Sequence, residues 1–216
     1  MDFRDRRIES GPSSARPHTL TAALRLSTSC GRLPASSVKH LLVLARRIDD
    51  LSRAAAVVAL WLVLICALVS AGNALTRYAF DLSSNAWLEM QWYMFGGTVL
   101  LGAAHLLNTN GHIRVDLFYN KLNDRQRTWL DLFGLVVFLL PFCYFMVLYS
   151  WPWFVESWEI GEISPNAGGL IRWPVKLLLP LGFGLLILQG LSEIIKRVAA
   201  LRGDIAINTQ YERPLQ

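Results

Sequence analysis

Gly111-His112-Ile113-Arg114-Val115-Asp116 is a short charged hinge in the middle of a very apolar chain. Two long uncharged segments precede this hinge and two follow it. Hydrophobic residues make up 53% of the 216 residues and charged residues only 17%, whereas a soluble domain carries about 25% charged residues. The charges are missing from the four segments and gathered between them. This pattern predicts an all-α integral membrane protein with four transmembrane helices.

The uncharged segments have the length that a bilayer requires. The first segment has 23 residues, which at 1.5 Å per helical residue extend about 34 Å and can cross a hydrocarbon core of about 30 Å. A mixture of charged and apolar side chains in residues 41–53 predicts an amphipathic helix before this span. Residues 41–203 are therefore predicted to form one membrane domain, with spans at about residues 54–76, 89–109, 130–150 and 174–195.

Both ends of the chain are predicted to lie outside this domain. Residues 1–40 are rich in Arg and Ser and superficially resemble a transit peptide, but a disordered extension or an over-long start explains them more simply. They and the next 13 residues carry ten Lys/Arg against five Asp/Glu, so this region contains the whole surplus of +5. Because Phe3 is the only Phe, Tyr or Trp among these charges, they predict membrane topology rather than binding to nucleic acid. The polar residues 204–216 are predicted to be a cytoplasmic tail.

The basic residues near the span ends predict the orientation. One side of the membrane would hold ten of them and the other only Arg77, Arg172 and Lys176. Under the positive-inside rule, both termini and the hinge are cytoplasmic, and the acidic loop after the third span faces outward. The ten basic residues are Arg46, Arg47, Arg53, Arg114, Lys121, Arg125, Arg127, Lys196, Arg197 and Arg202.

The chain offers few residues for chemistry. One functional alternative is that the chain is a stand-alone integral membrane enzyme that uses His112 and Asp116 of the hinge. Three residues separate this pair, one fewer than in the membrane acyltransferase motif, and such a pair at a turn more often caps a helix or forms a salt bridge. Haem would need paired histidines on facing helices, whereas only His105 lies within a span. No catalytic residue, cofactor or metal is therefore predicted.

Polar and small side chains instead form stripes along the predicted helices, as in membrane helices that pack closely. The stripe of the second span includes Gly102 and His105, and that of the fourth includes Gly182, Gln189 and Glu193 at spacings of seven and four. Arg77 and Glu89, at the ends of the first two spans, are predicted to form an interfacial ion pair. We interpret the stripes as surfaces of a subunit that binds a larger membrane partner. The predicted subunit-interface or structural residues are Asn73, Arg77, Glu89, Gly102, His105, His112, Arg114, Asp116, Pro180 and Gly182.

Four segments together resemble the small membrane subunit of tripartite ATP-independent periplasmic (TRAP) transporters. They are Gly72-Asn73-Ala74-Leu75-Thr76-Arg77-Tyr78, Trp87-Leu88-Glu89, the hinge, and Leu179-Pro180-Leu181-Gly182-Phe183. The resemblance covers residues 41–203. Many small permeases have a second acid directly after the first one in the second span, and here Met90 occupies that position.

This resemblance implies a DctQ-like, four-helix subunit in the bacterial inner membrane, in contact with membrane lipid. It would bind a large permease subunit, to which a periplasmic substrate-binding protein delivers an organic acid for sodium-driven uptake. The small subunit would act as a scaffold. Because loops often carry contacts, we predict that the acidic loop helps to dock the binding protein through Glu156, Glu159 and Glu162.

Overall fold

The computed structural model describes residues 35–81, 84–109 and 122–203, with side chains from residue 39 onward. The hinge residues His112, Arg114 and Asp116 lie outside these ranges, as do the predicted terminal extension before residue 35 and the predicted tail after residue 203. The described residues form helices, with one isolated antiparallel bridge between Ile163 and Ile171. The helices are α1 (Ala35–Phe80), α2 (Asn85–Asn108), α3 (Asp124–Glu159) and α4 (Trp173–Leu201).

Helix α1 is a single helix of 46 residues, about 69 Å long at the standard rise. Residues 41–53, predicted as an amphipathic helix before the first span, are helical but continue directly into that span instead of forming a helix of their own. The reason is local, because this segment contains neither proline nor glycine to interrupt the helix. After α1 the chain turns through Asp81, which has a φ of 55°, and the hydroxyl of Ser84 accepts a hydrogen bond from the Ala86 amide at the start of α2.

Three of the described helices are long and apolar enough to cross a membrane: Lys39–Phe80 within α1, α3 and α4. The 24 residues of α2 would extend about 36 Å, which is also sufficient. Its composition is less apolar, because it includes Glu89, Gln91 and His105. The prediction of an all-helical membrane protein is thus confirmed, with three helices that qualify as spans.

Helix α4 is the centre of the bundle. It packs against α1, α2 and α3, and α1 also packs along α2. Small and polar residues dominate the buried positions of α4, whereas the apolar side chains of α1 and α3 are mostly exposed. The buried residues of α4 are Lys176, Pro180, Gly182, Gln189, Gly190, Ser192, Glu193, Arg197 and Ala199.

A π-helical turn at Leu135–Leu139 interrupts the α-helical hydrogen bonding of α3. The buried residues of α3 are Thr128, Leu135, Cys143, Ser150 and Ser157. They recur every seven residues, except for a step of eight across the π turn. A π turn holds one extra residue, so it keeps the buried positions of both halves directed at α4.

Gly182 marks a close approach between α4 and α2. A Cβ atom at this position would lie 2.7 Å from the Leu100 Cβ and 3.2 Å from the Leu100 carbonyl oxygen. We expect Gly182→Ala to lower the free energy of unfolding by about 1–3 kcal/mol, because the two backbones would have to separate. Gly184→Ala is the matched control, since the space around Gly184 is open and alanine should stabilise the helix by about 0.5–1 kcal/mol. Equal stability of the two variants in detergent unfolding experiments would contradict this assignment.

Candidate functional site

Glu89, near the start of α2, holds the loop between α3 and α4 (residues 160–172) against the bundle. Its Oε1 atom accepts hydrogen bonds from the hydroxyl of Ser164 and, at 2.7 Å, from the side-chain amide of Asn166. Its Oε2 atom accepts the backbone amide of Leu170 at 2.8 Å. Glu89 itself is only 2% exposed. Three donors from one loop thus converge on a single buried carboxylate.

The local sequence of the loop explains this convergence. Gly169 donates its amide to the Asn166 carbonyl at 2.9 Å, and Ser164 donates its amide to the Leu170 carbonyl at 2.9 Å. These two bonds fold the loop back on itself, so that the side chains of Ser164 and Asn166 point at the same carboxylate. Only glycine fits at position 169, because a Cβ atom there would lie 2.5 Å from the Ser164 Cβ.

A second set of contacts joins the α3–α4 loop to the start of α4. Glu162 forms an ion pair with Lys176 and a longer one with Arg172, at 3.4 Å. The Lys176 ammonium also lies 4.3 Å from the centre of the Trp153 ring, within the range of a cation–π interaction. Glu162, predicted to dock a partner, is therefore half-buried and already engaged within the chain. The other two carboxylates of that prediction, Glu156 and Glu159, are exposed.

The ion pair of Glu162 makes this end of the bundle sensitive to acid. The hydrogen bond from Lys176 is the main reason that the pKa of Glu162 lies below its ordinary value of 4.5. A carboxyl group with a lowered pKa stabilises the fold above that ordinary value and loses this contribution as the pH falls through the lowered pKa. We expect acid to release Lys176 from Glu162 and to change the fluorescence of Trp153. Glu162→Gln should abolish this step of the titration. Retention of the step would show that another group causes it.

At the opposite end of α4, a charged cluster consists of Asp49, Asp131, Glu193, Lys196 and Arg197. Lys196 donates to Asp49 at 2.8 Å and to Glu193 at 2.7 Å. Arg197 forms an ion pair with Glu193 and reaches Asp131 of α3 at 3.4 Å. Lys196 also donates to the side-chain oxygen of Asn108, in α2, at 3.1 Å. The charged cluster therefore connects all four helices.

Uncharged polar residues extend the charged cluster toward the middle of the bundle. Gln189 donates to Asp49 at 2.9 Å and accepts from the Ser52 hydroxyl at 2.6 Å. The hydroxyl of Ser192 donates to Asp49 at 2.9 Å. Ser52, Gln189 and Ser192 are fully buried, so each of them satisfies its hydrogen bonds inside the protein. This arrangement fastens α1 to α4.

The remaining predicted residues do not form one site in the described part of the chain. Glu89 binds the α3–α4 loop, and no ion pair joins it to Arg77, whose side chain is exposed. The space above Gly102 is open within the described residues. The Asn73 Oδ1 and His105 Nδ1 atoms are buried and have no hydrogen-bond partner among these residues. Pro180 and Gly182 are buried in α4, as expected for packing residues.

The arrangement of both ends is that of a structural framework. Among residues 35–81, 84–109 and 122–203, no group of three or more His, Cys, Asp or Glu side chains is placed to hold a metal ion. The buried charges of the charged cluster bond to one another and to neighbouring helices. What this geometry can do is hold four helices and one loop in fixed relative positions.

The family model for the DctQ component of tripartite ATP-independent periplasmic transporters matches residues 65–200. This match covers the last 16 residues of α1 and all of α2 and α3, and it ends within the last turn of α4. Searches of curated proteins and of solved structures gave no match.

Proposed function

Since the chain belongs to the DctQ family of TRAP transporter components, which is not an enzyme family, we propose that it scaffolds a large permease subunit in the bacterial inner membrane. A periplasmic substrate-binding protein would deliver an organic acid to that permease, and a sodium gradient would drive its uptake. The proposal is supported mainly by how the bundle uses its polar groups. The charged cluster, Gln189 and Ser192 fasten helices to one another, while the long apolar flanks of α1 and α3 stay exposed for lipid or for a partner.

We further propose that α2 is a fourth span. It packs between α1 and α4, and its polar ends have protein partners. Glu89 binds the α3–α4 loop at one end, and Asn108 binds Lys196 at the other. Satisfied polar groups lower the cost of placing a moderately apolar helix in a membrane. The distribution of basic residues then favours a cytoplasmic location for both termini and for the charged cluster, with the α3–α4 loop in the periplasm.

The association with a permease is tested by purification of the tagged protein from its own host in a mild detergent, followed by mass spectrometry. We expect a large polytopic membrane protein to be recovered in a constant ratio to the tagged chain. Recovery of a stable, folded chain without such a protein would contradict the scaffold role. The experiment does not require the substrate to be known.

Charge reversal on the α3–α4 side tests the docking role. The exposed carboxylates Glu156 and Glu159 supply negative charge that a soluble partner can reach, whereas Glu162 is engaged by Lys176. We expect Glu156→Lys combined with Glu159→Lys to slow uptake by about tenfold at low salt, because such rim charges mainly set the rate of association. Co-purification of the permease should be unchanged. Normal uptake kinetics in this double variant would exclude docking at these residues.

A further inference from the structure

An exposed stripe on α3 has the spacing of a helix-packing surface. Val137, Pro141, Tyr144, Leu148 and Trp151 follow each other at intervals of four, three, four and three residues, and all are exposed. We call these five residues the α3 seam. Side chains at such intervals lie on one face of a helix, as they do in the contact line of paired helices. The α3 seam is turned away from the buried small residues that pack on α4.

Tyr144 lies deep within the apolar part of α3. Two contacts with α4 mark the ends of that part: Asp131 with Arg197 at one end, and Trp153 with Lys176 at the other. Tyr144 is 13 residues from Asp131 and 9 from Trp153, or about 20 Å and about 14 Å along the helix. Its side chain is 56% exposed, and no described residue accepts its hydroxyl hydrogen. A lipid chain cannot accept it either.

A backbone carbonyl adds a second polar group to the α3 seam. Pro152 lies inside α3 and has no amide hydrogen, so the carbonyl of Leu148, four residues earlier, lacks its usual helical donor. In membrane helices, neighbouring helices often satisfy groups that a proline has freed in this way. Tyr144 and Leu148 are four residues, or about one helical turn, apart on the same exposed stripe.

One exposed stripe of α1 is different in character. It consists of the aliphatic residues Val57, Leu60, Leu64 and Leu68, and the exposed Trp61 lies about 100° further around the helix. Aliphatic side chains need no polar partner and are suited to lipid. The two polar groups of the α3 seam need a protein surface instead, because an unsatisfied hydroxyl or carbonyl in hydrocarbon costs free energy.

We infer that the α3 seam is the surface on which a helix of the large permease subunit packs. That helix would carry one polar side chain that accepts from the Tyr144 hydroxyl and another that donates to the Leu148 carbonyl. The inference rests on the proposed function, since the membrane-embedded occupant is the permease. It goes further by assigning α3 to the permease and the aliphatic surface of α1 to lipid.

Site-directed photocross-linking in host membranes tests this assignment. A benzophenone side chain is introduced at Tyr144 or at Leu148, and the matched control carries it at Leu60 of α1, which is 69% exposed. We expect both α3 positions, and not the α1 position, to give a covalent product that contains the permease. Cross-linking from Leu60 alone, in preparations that retain the permease, would overturn the inference and leave the proposed function intact. Failure to recover any permease would overturn both.

Removal of one oxygen atom tests the polar contact itself. We expect Tyr144→Phe to reduce the fraction of permease retained through a detergent wash by about threefold, the effect of one hydrogen bond between membrane helices. The thermal stability of the isolated subunit should not change. Tyr149→Phe is the control. Tyr149 is 77% exposed, but it lies only about 6 Å along α3 from Trp153, near the end of the apolar part, where a tyrosine hydroxyl can reach water. Equal retention of the permease by the wild-type protein, Tyr144→Phe and Tyr149→Phe would overturn the predicted contact.

Discussion

Replacement of Arg197 by alanine is expected to lower the free energy of unfolding by about 3–5 kcal/mol, the usual cost of removing one partner from a buried ion pair. The side chains of Arg197 and Glu193 are only 7% and 6% exposed. The charged cluster contains three carboxylates and two cations, so loss of one cation leaves an excess of two negative charges within it. Unfolding titrations in detergent, followed by circular dichroism, measure this loss.

A second arginine of the same chain serves as the control for Arg197. Arg53 pairs with Asp50 one helical turn away, but these side chains are 65% and 64% exposed. Exposed pairs contribute about 0–1 kcal/mol, so Arg53→Ala should be almost neutral. Combination of Arg197→Met with Glu193→Gln should restore part of the stability, because it removes the uncompensated carboxylate together with its partner. Similar losses for Arg53→Ala and Arg197→Ala would show that burial is not the cause.

Replacement of Glu89 by alanine is expected to release the α3–α4 loop. The carboxylate accepts three hydrogen bonds from that loop, and bonds to a charged group contribute about 1.5–3 kcal/mol each. We expect faster amide hydrogen exchange throughout residues 160–172, with the largest increase at Leu170, whose amide loses its acceptor. The helical content should change little, because the four helices are joined independently by the charged cluster.

Two further variants show whether the geometry or the charge of Glu89 matters. Glu89→Gln keeps the shape of the side chain but places an NH₂ group opposite hydrogen-bond donors. The increase in amide exchange of the loop should therefore be smaller than in Glu89→Ala and larger than in the wild type. Glu159→Ala removes an exposed carboxylate next to the same loop, and the exchange rates of the loop should remain at wild-type values. Protection of Leu170 in the Glu89→Ala protein would contradict the assigned role.

The sequence predicted the helices well because their signal is local. An uncharged run of about 20 residues is sufficient to identify a membrane helix, wherever its partners lie. The ends were less predictable. Residues 130–150 were assigned as the third span, whereas α3 extends from Asp124 to Glu159, because charged residues can continue a helix beyond the apolar segment. The π turn was not predictable in this way, because its trace in the sequence is a spacing of eight instead of seven between two buried residues of α3.

The polar contacts were harder to predict, because the partners are far apart in sequence. Arg77 was expected to pair with Glu89 since it lies nearby along the chain, yet the donors to Glu89 are 75 to 81 residues away. Gln189 and Glu193 were recognised as one stripe from their spacing of four. Their connection to Asp49 was not, since no local pattern in α1 identifies a partner about 140 residues later. The turn-forming residues from Ser164 to Gly169 are the local feature of the sequence that could have indicated an ordered loop.

The central position of α4 also has a consequence for biosynthesis. Asp49 leaves the ribosome 147 residues before Lys196, its cationic partner. At 5–20 residues per second, about 7–30 s separate the two. During that interval α2 and α3 are completed, and the carboxylate of Asp49 has none of its partners on α4. The bundle can close only when the last helix is inserted, so a chain that terminates before α4 would present an unpaired acid to the cell's membrane proteases.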